Sequence, residues 1–289
     1  AIVAQAQGDS GPALPRLFPL AMEPIDTMEP VEPNDPLRPF FDAEKEFVQL
    51  QAAGDHDGAV RCLEQVLRAE QATVQQMQDT ALSTLFERLA VGYNTLGMKN
   101  LKEGNTELSC KYFEKAEALT DPANLHMNSG SRLVLRAVTY NNMGCFYKSM
   151  NKLHTALQYL RKAQKIEEKS NGRCENPAGT HLNLCALLSQ MGKHQEALSH
   201  AEHALKILEA NPPSQDSSGS GNSESLICVA YFNMGAEYEH LKKPSEALYA
   251  YKKAHENCLT ELGEDHPLSM QIHGCLTELK AKQQKRSGR

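Results

Sequence analysis

The sequence predicts an all-α protein built as a solenoid of repeated helix–turn–helix units, closed at its C-terminal end by a capping helix. Three observations predict this fold class. A five-residue string recurs as YNTLG at 93–97, YNNMG at 140–144, HLNLC at 181–185 and YFNMG at 231–235. Apolar or small residues follow each string at steps of three and four, as on the buried face of a helix. A short turn and a second amphipathic pattern come next, so a helix pair recurs roughly every thirty to fifty residues.

The composition is that of an ordinary soluble protein, with 40% hydrophobic and 23% charged residues among 289. The net charge of −6 provides no basic field for nucleic acid, so no nucleic-acid partner is expected. No run of eighteen apolar residues occurs, and we expect no transmembrane helix. The start, AIVAQAQGDS, lacks the basic end and apolar core of a secretory signal.

The cysteines indicate a reducing compartment. No CxxC pair occurs, and most of the eight cysteines fall inside apolar helical patterns, where a thiol behaves as a small hydrophobe. The chain is also long enough to build a core without disulfides. We therefore expect reduced thiols and an intracellular, cytoplasmic location, with the cytoskeleton or a cilium as compatible sites.

Residues 1–39 differ from the rest of the chain. Residues 1–40 hold eight of the fourteen prolines, and the stretch MEPIDTMEPVEPNDP at 22–36 alternates acidic residues with prolines. Each proline removes a backbone donor and favours extended geometry in the residue before it. We predict a disordered, acidic, proline-rich segment. It is either a passive tail or a strand that docks on the chain's own repeat domain.

Residues 40–285 form the predicted repeat domain. A weak first copy, from Phe40, turns at Gly54-Asp55, and the four stronger copies turn at Gly104-Asn105, at Asn151-Lys152, at Gly192-Lys193 and just before Pro244. Pro244 suits the first turn of a helix, where its missing N–H is not needed. We predict a flexible Ser/Gly-rich insert at 211–224, a solitary capping helix at 268–285 and a basic tail end at 286–289.

These units resemble tetratricopeptide repeats. That family has an aromatic residue, Leu-Gly and Tyr on the first helix, and Ala, an aromatic residue and Ala on the second. The matching residues of the second strong copy are Tyr140, Met143, Gly144, Tyr147, Ala156, Leu160 and Ala163, and those of the fourth are Tyr231, Met234, Gly235, Tyr238, Ala247, Tyr251 and Ala254. The third copy departs from the pattern at His181 and Cys185. The resemblance implies a right-handed superhelix whose first helices line a concave groove.

The string LGEDHP at 262–267 is similar to the spacer between the long repeats of kinesin light chains. This similarity suggests a long-repeat subtype of the family. The small residues of each copy are expected where the two helices cross, with Gly144 facing Ala156 and Gly235 facing Ala247. A larger side chain at such a crossing costs roughly 1–3 kcal/mol.

Polar and apolar residues of the first helices form the candidate binding site. Asn142, Asn183 and Asn233 share one position on three successive first helices. An Asn amide can pair with both the C=O and the N–H of a passing backbone. A ladder of such amides would suit an extended peptide, as the family resemblance also implies; the alternative is that Asn is common at this position whether or not it binds. The groove candidates are Asn94, Asn141, Asn142, Asn183, Asn233, Leu182 and Phe232.

Catalytic, cofactor and metal motifs are not apparent in the sequence. It contains no Gly-rich phosphate loop, nucleophile elbow or HExxH string. His200 and His203 lie on one helical face but lack third and fourth ligands at a recognisable spacing. The groove positions also lack the Lys and Arg cluster with which some family members clamp a C-terminal carboxylate.

The sequence therefore predicts a non-enzymatic protein-interaction adaptor or scaffold that needs no cofactor. Its partner is expected to be an extended peptide or a protein held in the concave groove. The alternative function is a structural subunit of a large cytoskeletal or ciliary, microtubule-associated assembly.

Overall fold

The structure is a computed structural model that describes residues 38–69, 79–170, 172–174, 177–210 and 221–287. These residues form eleven α-helices, and no strand occurs in the part of the chain so described. The predicted acidic segment lies outside the described residues, except for its last two positions. The helices are α1 (Arg38–Ala52), α2 (His56–Ala69), α3 (Asp79–Lys102), α4 (Thr106–Leu119), α5 (Ser129–Ser149), α6 (Leu153–Lys169), α7 (Pro177–Gln190), α8 (His194–Ala210), α9 (Gly221–His240), α10 (Pro244–Leu262) and α11 (Pro267–Ser287).

Helices pack in consecutive pairs, α1 with α2 through to α9 with α10, and α11 follows alone. The predicted helix–turn–helix design is thus confirmed, and all five predicted turns fall between the helices of a pair. One residue in each of these turns has a positive φ: Gly54 (79°), Gly104 (80°), Asn151 (58°), Gly192 (75°) and Lys242 (62°). Glycine or asparagine tolerates this left-handed conformation at four of the five turns.

Three element boundaries differ from the predicted ones. Helix α1 begins at Arg38, two residues before the predicted start of the repeat domain. Helix α9 begins at Gly221, so the last four residues of the predicted insert are helical, while 211–220 lie outside the described residues. Helix α11 continues to Ser287 and takes in part of the predicted basic tail.

The chain divides into two compact units, with the boundary between Cys174 and Glu175. In the described residues, the first unit contains α1–α6 and the second contains α7–α11. Each unit has its own core. In the first, fully buried leucines of α2 and α3, including Leu63, Leu85 and Leu89, pack with Phe40 and Phe47 of α1.

The second unit ends in the capping helix. Ile272, Leu276 and Leu279 of α11 are buried against Tyr251 and Cys258 of α10. This packing covers the last apolar helix face of the unit, as an end cap must in a stack of repeats. All eight cysteines are free thiols, and four of them are buried: Cys62, Cys185, Cys228 and Cys258.

Small residues mark the helix crossings, but their closest neighbours are not the alanines that the sequence suggested. A Cβ added at Gly144 would lie 2.5 Å from Leu160 Cγ, whereas the backbone oxygen of Ala156 is 3.5 Å away. At Gly235 the corresponding neighbour is the Tyr251 ring, at 2.5 Å. Gly97 stands in the same relation to Phe113, also at 2.5 Å. The large side chain that fills each crossing comes one turn later on the second helix than predicted.

Candidate functional site

The first unit brings two of the predicted groove asparagines together. Asn142 Nδ2 on α5 donates to Asn94 Oδ1 on α3 over 3.0 Å. Asn94 Nδ2 donates to the backbone oxygen of Ala90 and to Thr139 Oγ1, both at 2.9 Å. Thr139 in turn donates to the Leu135 carbonyl at 2.8 Å. A continuous hydrogen-bonded network therefore joins the first helices of two successive repeats.

Asn94 lies inside this network and not on the surface. Its exposure is 1%, and both hydrogens of its amide nitrogen are used within the unit. Burial without such partners would be costly, which explains the complete hydrogen bonding of this amide. The sequence placed Asn94 in the groove; the structure leaves it almost no surface for a ligand.

Asn142 and Asn141 are both partly exposed on α5. The bond to Asn94 uses one of the two amide hydrogens of Asn142, and an Asn side chain has a second hydrogen and a carbonyl oxygen besides. The fixed amide of Asn142 thus has groups to offer at the surface of the first unit. Asn141 has interactions of its own within the structure.

The candidates of the second unit fall into two groups. Leu182 of α7 is buried in a cluster with Ala178, Leu208 and other apolar residues, and Phe232 of α9 is buried beside the Tyr251 ring, with centroids 5.8 Å apart. Both side chains therefore belong to the core, and Asn233 is 6% exposed. Asn183 of α7 is the member of this set that remains partly exposed.

A three-position cluster recurs between the two helices of successive pairs. Tyr93 and Tyr112 stack at 6.1 Å, and Lys115 Nζ lies 4.9 Å from the Tyr93 ring centroid. Tyr140, Tyr159 and Lys162 repeat this arrangement. The third strong copy has His181, His200 and His203 at the same three positions. In each of these copies the first position begins the five-residue string, and the other two follow 19 and 22 residues later (93, 112 and 115; 140, 159 and 162; 181, 200 and 203).

Sequence reasoning found His200 and His203 but missed His181 as their neighbour. His181 Nδ1 lies 3.0 Å from His200 Nδ1, and the His181 and His203 rings are stacked with centroids 5.3 Å apart. The missing signal was the repeat register, which aligns His181 with Tyr93 and Tyr140. Within the described ranges, no group of three or more His, Cys, Asp or Glu side chains is arranged to hold a metal ion.

Thr139 is a second residue that sequence reasoning missed. It is completely buried and accepts the Asn94 hydrogen bond. Its signal was a polar residue directly before the five-residue string, at a position that faces the neighbouring first helix.

No described helix is both long and apolar enough to cross a membrane.

The consecutive helix pairs, the glycines at three of their crossings and the terminal cap define an α-helical repeat protein of the solenoid class. Residues 129–210 match the family model of the tetratricopeptide repeat, and this interval runs from the start of α5 to the end of α8. Over this interval the chain therefore carries tetratricopeptide repeats. A search of curated proteins found no significant match.

Solved structures with a similar fold share little sequence with this chain. BtubC (BKLC) from P. vanneervenii has a TM-score of 0.56 at 18% identity, over 81% of this chain and 85% of that one. A Rap protein in complex with competence and sporulation factor has a TM-score of 0.53 at 15% identity, over 91% of this chain and 65% of that one. MamA is similar over 73% of this chain and 93% of its own, with a TM-score of 0.45 at 20% identity. At such identities the first two likenesses concern the fold alone.

Proposed function

We propose that the chain is a non-enzymatic adaptor that binds an extended peptide segment of a partner protein through the first helices of its repeats. The observation that carries this proposal is the Asn142 amide, which is held in place from below by buried Asn94 and has hydrogen-bonding groups left for a ligand. A pre-positioned amide loses little side-chain entropy when a ligand binds. Asn183 is the corresponding residue of the second unit.

The residues around these two asparagines suit a peptide backbone better than a charged group. Cys145, one turn beyond Asn142, and Ala186, at the same place after Asn183, are small and uncharged. Specificity would then come from the space between the side chains and not from ion pairs. This is the reason for proposing an extended segment of the partner over a terminal carboxylate.

The proposal assigns the buried candidates a supporting role. Asn94 orients Asn142, and Leu182 and Phe232 shape the walls on which the exposed amides stand. Asn141 and Asn233 complete the proposed faces at their edges. The adaptor would work in the cytoplasm, where the free thiols of the chain stay reduced.

The experiment begins with crosslinking and pull-down from a native lysate, followed by synthesis of the crosslinked partner segment as a peptide. If Asn142 or Asn183 holds its backbone, replacement by Ala removes a hydrogen bond of about 0.5–1.5 kcal/mol, so the peptide should bind roughly two- to twelve-fold more weakly. Asn257→Ala is the matched control, because Asn257 bonds the Lys253 carbonyl of its own second helix. If Asn142→Ala and Asn183→Ala both bind the peptide as tightly as the wild type, with unchanged melting temperatures, the peptide-binding role of these asparagines is refuted.

A second candidate function is a fixed subunit of a larger assembly, including a cytoskeletal or ciliary one. Large apolar side chains that are well exposed support it, notably Leu125 (83%), Met270 (65%) and Tyr249 (60%). An assembly interface would bury such residues against a broad protein surface. Loss of co-purifying partners on Met270→Ser or Tyr249→Ser, with Asn142→Ala neutral, would favour this function over the adaptor.

A further inference from the structure

The contact between α7 and α8 contains three imidazoles in one cluster. His181 is 8% exposed, and its Nδ1 lies 3.0 Å from that of His200. The rings of His181 and His203 are nearly parallel, with 7° between their planes. A bond between two imidazole nitrogens needs one N–H and one free lone pair, so at least one partner must be neutral.

The first unit fills the same three positions with groups that do not change charge in mild acid. Lys115 Nζ lies over the rings of Tyr93 and Tyr112, and Lys162 Nζ lies over those of Tyr140 and Tyr159. Tyrosine stays neutral and lysine stays charged throughout the range from pH 4 to pH 8. The histidine cluster is therefore the version of this cluster that can gain charge as the pH falls.

The cluster tolerates a first proton better than a second one. A protonated, exposed His203 would place a cation over the neutral His181 ring, as Lys115 does over Tyr93. A proton on His181 itself would set two cations close together in a buried contact, and it would abolish the His181–His200 bond if His200 were protonated too. The structure thus favours neutral His181.

Within the described part of the chain, no carboxylate is paired with His181. Burial first, then the charges of His200 and His203, lower the pKa of His181 to about 4 from the usual 6.5. Helix α9 also packs on α7, and its buried carboxylate Glu237 is paired with His194 Nδ1, 2.8 Å away.

We propose that the His181–His200–His203 cluster is an acid-sensitive element that loosens the contact between α7 and α8 as the pH falls below neutral. The direction in which stability changes with pH follows from proton linkage. Because the pKa of His181 is lower in the folded state, the unfolded chain binds more protons between about pH 6.5 and pH 4. The stability of the second unit is therefore complete above this window and decreases through it.

The expected size of the pH effect on the α7–α8 contact follows from the pKa values of His181 in the open and folded states. With 6.5 in the open state and about 4 in the folded state, the equilibrium constant for opening should rise roughly thirtyfold between pH 7.5 and pH 5.0. Leu182 and Asn183 directly follow His181 in α7. If the proposed peptide-binding function is correct, acid would also weaken binding at Asn183, and that consequence alone rests on it.

The test needs no ligand, so its outcome does not depend on the proposed function. Hydrogen–deuterium exchange of the full chain is measured at pH 7.5 and pH 5.0 and corrected for intrinsic exchange. In the wild type, protection of α7 and α8 should fall roughly thirtyfold on acidification. The triple variant His181→Tyr, His200→Tyr, His203→Lys places in the second unit the residue types that the first unit has at these three positions. Its protection should change less than threefold. His154→Tyr, an exposed position of the first unit, is the matched control and should behave as the wild type.

Two outcomes would overturn the proposal: protection of α7 that is independent of pH in the wild type, or an equal loss in the triple variant. If the triple variant does not fold, NMR titration of the imidazoles in the wild type decides. A His181 that titrates near 6.5 refutes the acid-sensitive element, and one that titrates well below 5 supports it.

Discussion

In three of the helix pairs, the crossing places one glycine against one large side chain. In three of the strong copies the facing residue comes sixteen positions later (97 to 113, 144 to 160, 235 to 251), and the same spacing from Cys185 leads to Ala201. Glycine faces Phe113, Leu160 or Tyr251, whereas the third copy has the larger Cys185 and the small Ala201 at the corresponding sequence positions. Both members of this exchanged pair are buried, with exposures of 1% and 0%. A larger residue on the first helix of the third copy is thus accompanied by a smaller one on the second helix.

Gly144→Ala should destabilise the protein by about 1–3 kcal/mol, because the new Cβ would lie 2.5 Å from Leu160 Cγ. The matched control is Gly274→Ala on α11, where no atom lies within 4 Å of the added Cβ. That change should stabilise by roughly 0.5–1 kcal/mol through helix propensity alone. Urea unfolding measures both. Stabilisation by both substitutions would show that the crossing has room to spare.

The facing partner makes the same prediction sharper. Leu160→Ala alone should cost about 2–5 kcal/mol through the cavity that it leaves. In the Gly144→Ala background its cost should be smaller, since the shortened side chain also removes the clash. We expect a coupling of about 0.5–3 kcal/mol between the two positions. Strict additivity would contradict the pairing.

At the scale of single residues, the sequence identified the small residues of the helix crossings, but it did not predict which side chains they contact. Periodicity assigns a residue to a helix face, and both Ala156 and Leu160 lie on the buried face of α6. Choosing between them requires the crossing geometry of two helices. The same limit applies to Asn94, since a pattern of asparagines does not distinguish an exposed amide from one that bonds Thr139 in the interior.

At the scale of elements, the turns of the five helix pairs share one backbone conformation with different residues. Gly54, Gly104 and Gly192 adopt a positive φ without a steric cost, and Asn151 adopts it at a small one. Lys242, with φ of 62°, is the exception, because its Cβ is crowded by the backbone in this region. The turn before α10 therefore carries local strain that the other four largely avoid.

Lys242→Gly should stabilise the protein by roughly 0.5–1 kcal/mol, because the relief of strain exceeds the entropic cost of glycine. The neighbouring Lys243→Gly is the control: its φ of −109° suits any residue, so added chain entropy should leave it neutral or slightly destabilising. The difference in the midpoint of urea unfolding measures the effect. A destabilised Lys242→Gly variant would mean that the lysine makes a contact worth more than the strain.

The helices and turns were predictable from local signals, since apolar periodicity and Gly or Pro punctuation are properties of short segments. The ends of α1, α9 and α11 were not. Arg38 precedes Pro39, which suits a helix start and yet looked like part of the proline-rich segment. Composition alone does not show where such a segment gives way to a helix.

At the scale of the whole molecule, the two units should respond to acid in different ranges of pH. Glu64 of the first unit accepts hydrogen bonds from Tyr93 and Lys115, each at 2.7 Å. Burial opposes the charge of Glu64, but these bonds and the nearby Lys115 and Arg68 together lower its pKa below the usual 4.5. A depressed carboxylate pKa stabilises the folded state above 4.5 and loses this effect as the pH falls through the folded-state value.

We therefore expect the first unit to keep its stability between pH 6.5 and pH 4.5, while the second unit loses part of its own. Below pH 4.5 the first unit should weaken too, and Glu64→Gln should remove part of that acid dependence while lowering stability at pH 7. Hydrogen exchange of α2–α4 against that of α7–α8 over this range separates the units. Simultaneous loss of protection in both near pH 6 would contradict the assignment of separate groups.

The acidic segment before α1 gives the last prediction for the whole chain. It carries six acidic residues and two arginines within residues 1–38, and it is tethered to the repeat that begins at Arg38. A tethered ligand acts at a high effective concentration, so even a weak strand competes with an external peptide. Deletion of residues 1–37 should leave the melting temperature almost unchanged and strengthen binding of the partner peptide. A variant that keeps the length but replaces the six acids by Gln or Asn distinguishes charge from chain: if charge drives self-docking, it should bind as tightly as the deletion. Unchanged affinity in both would make the segment a passive tail, and a lower melting temperature on deletion would make it part of the fold.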